Sequence, residues 1–149
     1  SNQQTVKMTV VLKTPADWQS WIFLRKETAK QYDLWQYCNP DVLAKDLPEF
    51  KGPDYPLPIE VNRKPKEDEE LEVPTIANLT KDERECWRDL MDDYKFKEAK
   101  WSRKEQAMNS LVYEIGRTID QRHIYLIANL DTAYERLKVL KQHLCPSDA

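Results

Sequence analysis

Apolar side chains recur every third or fourth residue along most of this chain, which is the period of a helix lying on a core. The plainest case begins at Leu79-Thr80-Lys81-Asp82-Glu83. Thr80 can cap a helix start, and Glu83, three residues on, can reach back to the cap N–H. Trp87, Leu90, Met91, Tyr94 and Trp101 then follow at helical spacing, so a helix is predicted from Thr80 to about Lys100. Ser102 with Glu105 offers a second capping box, which predicts a bend or break near Trp101. Met108, Leu111, Val112, Ile115 and Ile119 make the stripe of the next helix. Gly116 within it costs about 1 kcal/mol against alanine and suits a close approach of another element. Asp120 can cap a short apolar helix holding Ile124, Tyr125, Ile127 and Ala128, which ends at Asn129 or Asp131. Thr132 and Glu135 form a further capping box before the stripe Tyr134, Leu137, Leu140 and Leu144, and Pro146 stops that last helix.

Upstream, Thr14-Pro15-Ala16-Asp17 reads as a helix start: a cap, a proline at the first position and an acid in the first turn. Trp18, Trp21, Ile22 and Arg25 continue at helical spacing, with Leu24, Thr28 and Ala29 extending the pattern to about Lys30. Trp18 and Trp21 are read as core anchors. Leu34, Trp35 and Tyr37 predict another turn or two, ended by Asn39-Pro40, because the residue before proline is pushed out of helical geometry. Val6 to Leu12 is short and β-branched. It predicts an extended arm, read as lying on the domain; read as a strand, its backbone would need a partner in the irregular middle of the chain or in another chain.

Between these helical parts, residues 40–74 hold seven of the nine prolines and the acidic run Glu67-Asp68-Glu69-Glu70. Pro53, Pro56 and Pro58 predict an extended, polyproline-like strip. A connection of this length inside a small domain is expected to wrap the surface, with Phe50, Tyr55, Leu57 and Ile59 as contact points and a short helix near Asp41 to Asp46. The expected fold is therefore all-α. It is a compact single-domain bundle of about five to six helices, with an extended arm (1–13), a first helical segment (14–38), a long Pro-rich acidic connection (39–78) and a main helical block (79–149).

Composition adds to this picture in three ways. Two glycines in 149 residues and a charged third suit helices with wet surfaces. The net charge of −3 is concentrated in the middle: residues 41–72 carry ten acidic and five basic groups, whereas residues 79–149 carry thirteen of each. A uniformly basic nucleic-acid surface is thus not expected. Cys38, Cys86 and Cys145 are odd in number and far apart, which argues against a disulfide framework or a zinc site and points to a reducing, cytoplasmic setting. No leader, lipidation signal or membrane span is visible.

No catalytic arrangement emerges. His123 and His143 stand alone on helices, Asp92-Asp93 and Glu69-Glu70 are sequence neighbours that do not face one site, and Gly52 and Gly116 cannot make a phosphate loop. The expectation is a protein without enzymatic activity, cofactor, metal or small-molecule substrate. Lys97, Lys100 and Lys104, with Arg103 beside them, would form one basic stripe if their helix is continuous. With Phe96 and Trp101 interleaved, the stripe could contact RNA phosphates and bases. The favoured reading is a solvated face with Trp101 in the core, aligned with Trp87 and Tyr94.

The order of these features resembles the Gag polyproteins of copia-type LTR retrotransposons, fungal ones in particular. Leu12-Lys13-Thr14-Pro15-Ala16-Asp17-Trp18-Gln19-Ser20-Trp21-Ile22 is similar to their N-terminal signature, a short apolar segment leading to W-x-x-W. Leu34-Trp35-Gln36-Tyr37-Cys38-Asn39-Pro40 resembles the following W-x-Y-(I/C)-(D/N)-P element. Leu79 through Trp87, Leu90 and Tyr94 resembles the next block. Tyr134-Glu135-Arg136-Leu137-Lys138-Val139-Leu140-Lys141 to Cys145-Pro146-Ser147-Asp148 resembles the closing L-x-x-L-K-x-x-L-x-P-(T/S)-D segment. The match covers nearly the whole chain in order.

The resemblance implies an all-helical, non-enzymatic capsid domain. Such a domain self-associates into virus-like particles around the element's RNA, with Trp18, Trp21, Trp35, Tyr37, Trp87, Tyr94 and Trp101 as its signature aromatics. The Cys-Cys-His-Cys knuckle of many Gag proteins is missing, and the chain ends at Ala149 where the family's helical region leads onward. A fragment, or a shortened or domesticated relative, is therefore expected. The alternatives are a nucleic-acid-binding module and a domesticated Gag that acts as an adaptor for another protein.

Overall fold

The computed structural model describes residues 9–61 and 74–147. Val6 to Met8 of the expected arm and the acidic run Glu67 to Glu70 lie outside them. The fold is all-α. The described residues form helices α1 (Trp18–Gln31), α2 (Trp35–Cys38), α3 (Lys81–Arg117), α4 (Ile124–Ile127) and α5 (Ala133–Leu144). Short 3-10 turns occur at Pro15–Asp17, Ala44–Asp46, Pro58–Glu60, Ile76–Asn78 and Gln121–His123. The chain gathers into two compact units, one from Ser1–Phe50 with Lys104–Ala149, the other from Lys51–Arg103.

The first unit holds the buried core. Trp18, Trp21 and Ala29 of α1, Leu34, Cys38, Leu111 and Ile115 of α3, Ile127 of α4, and Leu137, Leu140 and Leu144 of α5 belong to one cluster. Trp18 and Trp21 pack on each other with ring centroids 5.7 Å apart, so both are core anchors as expected. The entry to α1 uses Asp17, whose carboxylate accepts hydrogen bonds from the backbone N–H groups of Lys13 and Thr14, each at 3.0 Å. Those two bonds, Thr14's first, hold Asp17 below its ordinary pKa of 3.8.

The exit from α1 has a definite geometry. Asp33 adopts a left-handed φ of 57°, Leu34 N–H donates to Ala29 C=O at 2.7 Å, and Asp33 N–H donates to Lys30 C=O at 3.1 Å. This is a Schellman closure, with the buried Leu34 as its hydrophobic contact and an aspartate where glycine is usual. α2 then ends at Asn39-Pro40, as the proline requires.

The connection after α2 lies on the first unit as far as Phe50. Tyr134 O–H donates to Val42 C=O at 2.6 Å, Lys138 reaches Pro40 C=O at 3.4 Å, and Lys141 pairs with Asp41. Phe50 meets Tyr37 edge to face at 5.0 Å. The short helix expected near Asp41 to Asp46 is the single turn Ala44–Asp46.

Three expectations are corrected. The break near Trp101 and Ser102 does not occur, and α3 runs unbroken for 37 residues. A capping box ends a helix only where the preceding backbone leaves helical geometry. Between Lys97 and Met108 there is neither glycine nor proline, and most residues there are strong helix formers. Ile119 is not part of that helix. It forms a parallel bridge with Leu12, in which Leu12 N–H donates to Thr118 C=O at 2.8 Å and Asp120 N–H to Leu12 C=O at 2.9 Å. The described end of the arm therefore lies on the first unit, as expected of an arm on the domain, and the backbone partner of Leu12 is the segment just past α3 rather than the irregular middle. Finally, the short apolar helix is only one turn long. It buries Ile127, while Ile124 and Tyr125 are 44% and 74% exposed, because a single turn presents one side to the core.

Other local signals are met. Thr80 N–H donates to Glu83 Oε1 at 2.8 Å and Glu83 N–H to Thr80 Oγ1 at 3.2 Å, the reciprocal box that starts α3. Thr132 Oγ1 accepts from Glu135 N–H at 3.1 Å, and Asp120 Oδ1 from Arg122 N–H at 3.1 Å. A Cβ on Gly116 would sit 3.3 Å from Arg136 Nη1, so this glycine admits a guanidinium from α5. Arg136 Nε donates to Leu130 C=O at 2.7 Å and Nη1 to Val112 C=O at 3.0 Å.

Candidate functional site

Along α3 a single stripe of inward positions can be followed from Glu83 through Trp87, Met91, Tyr94, Glu98, Trp101 and Lys104 to Met108, Leu111 and Ile115. From Lys104 onward it enters the core of the first unit. Between Lys81 and Arg103 no residue is buried, and the stripe is half-buried at best. Trp101 was expected in the core, aligned with Trp87 and Tyr94. All three are instead half-buried members of the second unit and stand outside the core cluster. The cause is what covers them: an irregular strip offers less apolar area than packed helices do.

Over Tyr94 and Trp101 that cover comes from residues 51–61. Tyr55 meets Tyr94 at 5.2 Å, nearly edge to face. An added Cβ on Gly52 would lie 2.7 Å from Trp101 Nε1, so the strip's backbone lies directly on the indole, an approach only glycine allows. Pro53, Asp54, Pro56, Glu60, Leu90, Asp93, Tyr94 and Lys97 line an open groove of about 290 Å³. Partial burial, then the Glu98 carboxylate and Tyr55, raise the Tyr94 phenol above its ordinary 10.0. The Trp87 indole N–H is buried and has no acceptor among the described residues. Leu57 and Ile59, expected contact points of the strip, are instead 55% and 57% exposed. The turn Pro58–Glu60 carries them outward rather than onto the helix.

The basic stripe is divided. Lys97 pairs with Asp93 at 2.7 Å, and the Lys100 ammonium lies 4.4 Å from the Phe96 ring centroid. Both side chains and Arg103 are exposed on the second unit. Lys104 belongs to the first unit, where it is half-buried, 3.5 Å from Asp33 Oδ2 and 6.0 Å from the Tyr37 ring. Exposed acids share the face with the remaining bases, so the field is mixed rather than uniformly positive. Trp35 is half-buried with Lys26 over its ring at 5.4 Å, and Tyr37 packs on Phe50.

A polar cluster in the first unit escaped sequence reasoning. Thr118 Oγ1 accepts from Trp21 Nε1 at 2.9 Å and from Arg25 Nη1 at 2.6 Å, and donates to Glu114 C=O at 2.7 Å. This uses the full capacity of one hydroxyl. Arg25 is 4% exposed and also pairs with Glu114 at 3.3 Å. Burial lowers its pKa below the ordinary guanidinium range, Glu114 opposes that shift, and Arg117 adds to it. The cluster borders an open cleft of about 1,320 Å³ that also takes in Lys30, Glu27 and Arg117. The available signal was a charged residue on the apolar stripe of α1, four positions after Trp21.

The cysteines are free. Cys38 is buried, and its thiol is pushed up to about 12 by that burial, whereas Cys86 is exposed. His123 Nε2 contacts Lys13 C=O at 2.7 Å and so helps hold the arm. Among the described residues no group of three or more His, Cys, Asp or Glu could hold a metal ion, and no helix is long and apolar enough to cross a membrane. No protein-family model, curated protein or solved structure matches the chain.

Proposed function

We propose that this chain is a capsid-like structural domain of the copia-type Gag kind, which acts by self-association and has no catalytic role. One observation carries the reading. Large apolar side chains stand open to solvent more densely in the second unit than in the first: Tyr55, Leu57 and Ile59 on the strip, Leu90 and Phe96 on α3, and Ile76 before it, against six (Phe23, Tyr32, Leu43, Tyr113, Ile124 and Tyr125) in the longer first unit. A surface rich in exposed apolar groups is a candidate contact surface. The all-α architecture and the order of the aromatic motifs agree with the family resemblance. In such a protein many modest, repeated contacts, each readily broken, are multiplied by closed symmetry into a shell. Packaging of RNA enters the proposal through the resemblance, with Lys97, Lys100 and Arg103 as the exposed cations available for it.

Light scattering on a sizing column, over a wide concentration range and at low and high salt, tests the proposal. Growth from monomer to dimer or larger species is the expected result. A strict monomer throughout would overturn it. Salt-sensitive RNA binding by that monomer, lost on reversing the charges of Lys97, Lys100 and Arg103, would then identify a nucleic-acid module instead.

A further inference from the structure

The exposed face of α3 in the second unit is arranged so that it can pair with a copy of itself. Between Lys81 and Asp93 there are six acidic side chains against three basic; between Tyr94 and Arg103 there are four basic against one acidic. The helix macrodipole does not account for this layout. Its influence fades within the first and last turns, whereas the sign changes in mid-helix, far from the helix end at Arg117.

The residues near the change of sign are placed almost symmetrically. Asp89 and Lys97 stand four positions either side of Asp93, and Leu90 and Phe96 stand three either side. All five are exposed, Leu90 by 36% and Phe96 by 61%. They occupy one face of the helix, beside the half-buried stripe of Trp87, Met91 and Tyr94. On one flank Leu90, Asp93 and Lys97 border the groove beneath the strip.

From this we infer that α3 pairs antiparallel with α3 of a second copy about a two-fold axis near Asp93. A two-fold axis perpendicular to the helix near Asp93 lays the acidic stretch of one α3 along the basic stretch of the other. Asp89, Leu90, Phe96 and Lys97 of both copies then stand at the contact, and each contact occurs twice. The two Asp93 carboxylates approach the axis with their charge held by their own Lys97 at 2.7 Å. The parallel arrangement opposes acid to acid and base to base, so the charges select the antiparallel one.

The inference rests on the self-association proposed above and names its surface. Two variants test it, Asp89→Lys with Asp93→Lys and Lys97→Glu with Lys100→Glu. Sedimentation equilibrium at low salt and native mass spectrometry read the outcome, with circular dichroism confirming unchanged helix content. Each variant alone is expected to self-associate about tenfold more weakly or worse. Their equimolar mixture is expected to form a heterodimer, because the face is then basic in one variant and acidic in the other. Phe96→Asp, which leaves the four charges in place, is expected to weaken the unmodified pairing as well. Variants that associate like the unmodified chain would overturn this surface while leaving self-association standing. Variants that stay monomeric both alone and when mixed would overturn the antiparallel pairing. A monomeric unmodified chain would overturn both proposals together.

Discussion

The two parts of α3 are one helix with two fates. From Lys104 to Arg117 its inward positions are mostly aliphatic, and Leu111 and Ile115 are fully buried among α1, α4 and α5. From Lys81 to Arg103 they are larger and more aromatic, yet none is buried. Aliphatic side chains bury completely more often than large rings, and the stripe over the second unit also carries Glu83 and Glu98. The comparison teaches that an apolar stripe specifies a helix face, whereas burial depends on what the rest of the chain lays on that face. Where a helix meets other helices the contact area is large. Where it meets an irregular, proline-rich strip, part of each aromatic ring stays wet.

The contrast can be broken most sharply with paired tryptophan substitutions. Trp21→Ala should destabilise the protein by about 3–5 kcal/mol, because a fully buried ring is lost and Thr118 loses a donor. Trp87→Ala should cost less, about 1–2 kcal/mol, since part of its surface is already hydrated and a buried indole N–H without an acceptor among the described residues is removed with it. Denaturant midpoints for the two variants check the difference, and equal losses would refute it.

The polar side of the core gives the next largest effect. Glu114→Ala leaves the Arg25 charge buried without its partner and should cost about 3 kcal/mol, the lower end for broken buried pairs because Glu114 is a quarter exposed. Combining it with Arg25→Met should restore most of that loss in the same denaturation measurement. A double variant as unstable as the sum of the singles would show that the ion pair is not the source.

In the second unit, Gly52→Ala drives a methyl group against the Trp101 indole. The half-buried ring can shift, so a cost of about 1 kcal/mol is expected, together with a change in tryptophan emission that Trp101→Phe abolishes. The smallest effect concerns pH. Asp17 has a folded-state pKa below its unfolded value of 3.8, so its contribution is present above that value and is lost as pH falls through the folded pKa. Asp17→Asn should therefore lower stability near neutrality and narrow its gap from the unmodified chain in acid below 3.8.

Several features were legible in the residues alone. The caps at Thr80, Asp120 and Thr132, the stop at Asn39-Pro40 and the core roles of Trp18 and Trp21 all depend on neighbours within a few positions, a range over which the sequence is explicit. The false break at Ser102 came from the same kind of signal. A capping box written inside a strong helix cannot be told from a working one until the backbone before it is seen. Of the candidate surface, the exposed lysines and aromatics could be named, but not their grouping. Lys104 looks equivalent to Lys97 and Lys100 by spacing, and it is the inward stripe of α3 that draws it away to Asp33 and Tyr37.

What the sequence determined by itself is therefore local: the all-α class, the helix starts, and the face each helix turns inward. These follow from backbone hydrogen bonding and from a period of three to four residues. Only the tertiary structure decided that Leu12 bridges to Ile119 and that Arg25 and Trp21 share the Thr118 hydroxyl, 93 and 97 residues away along the chain. It also decided which part of α3 is covered by helices and which by a strip. Such pairings arise from competition among many apolar faces for the same area, and no single segment carries the outcome of that competition in its own residues.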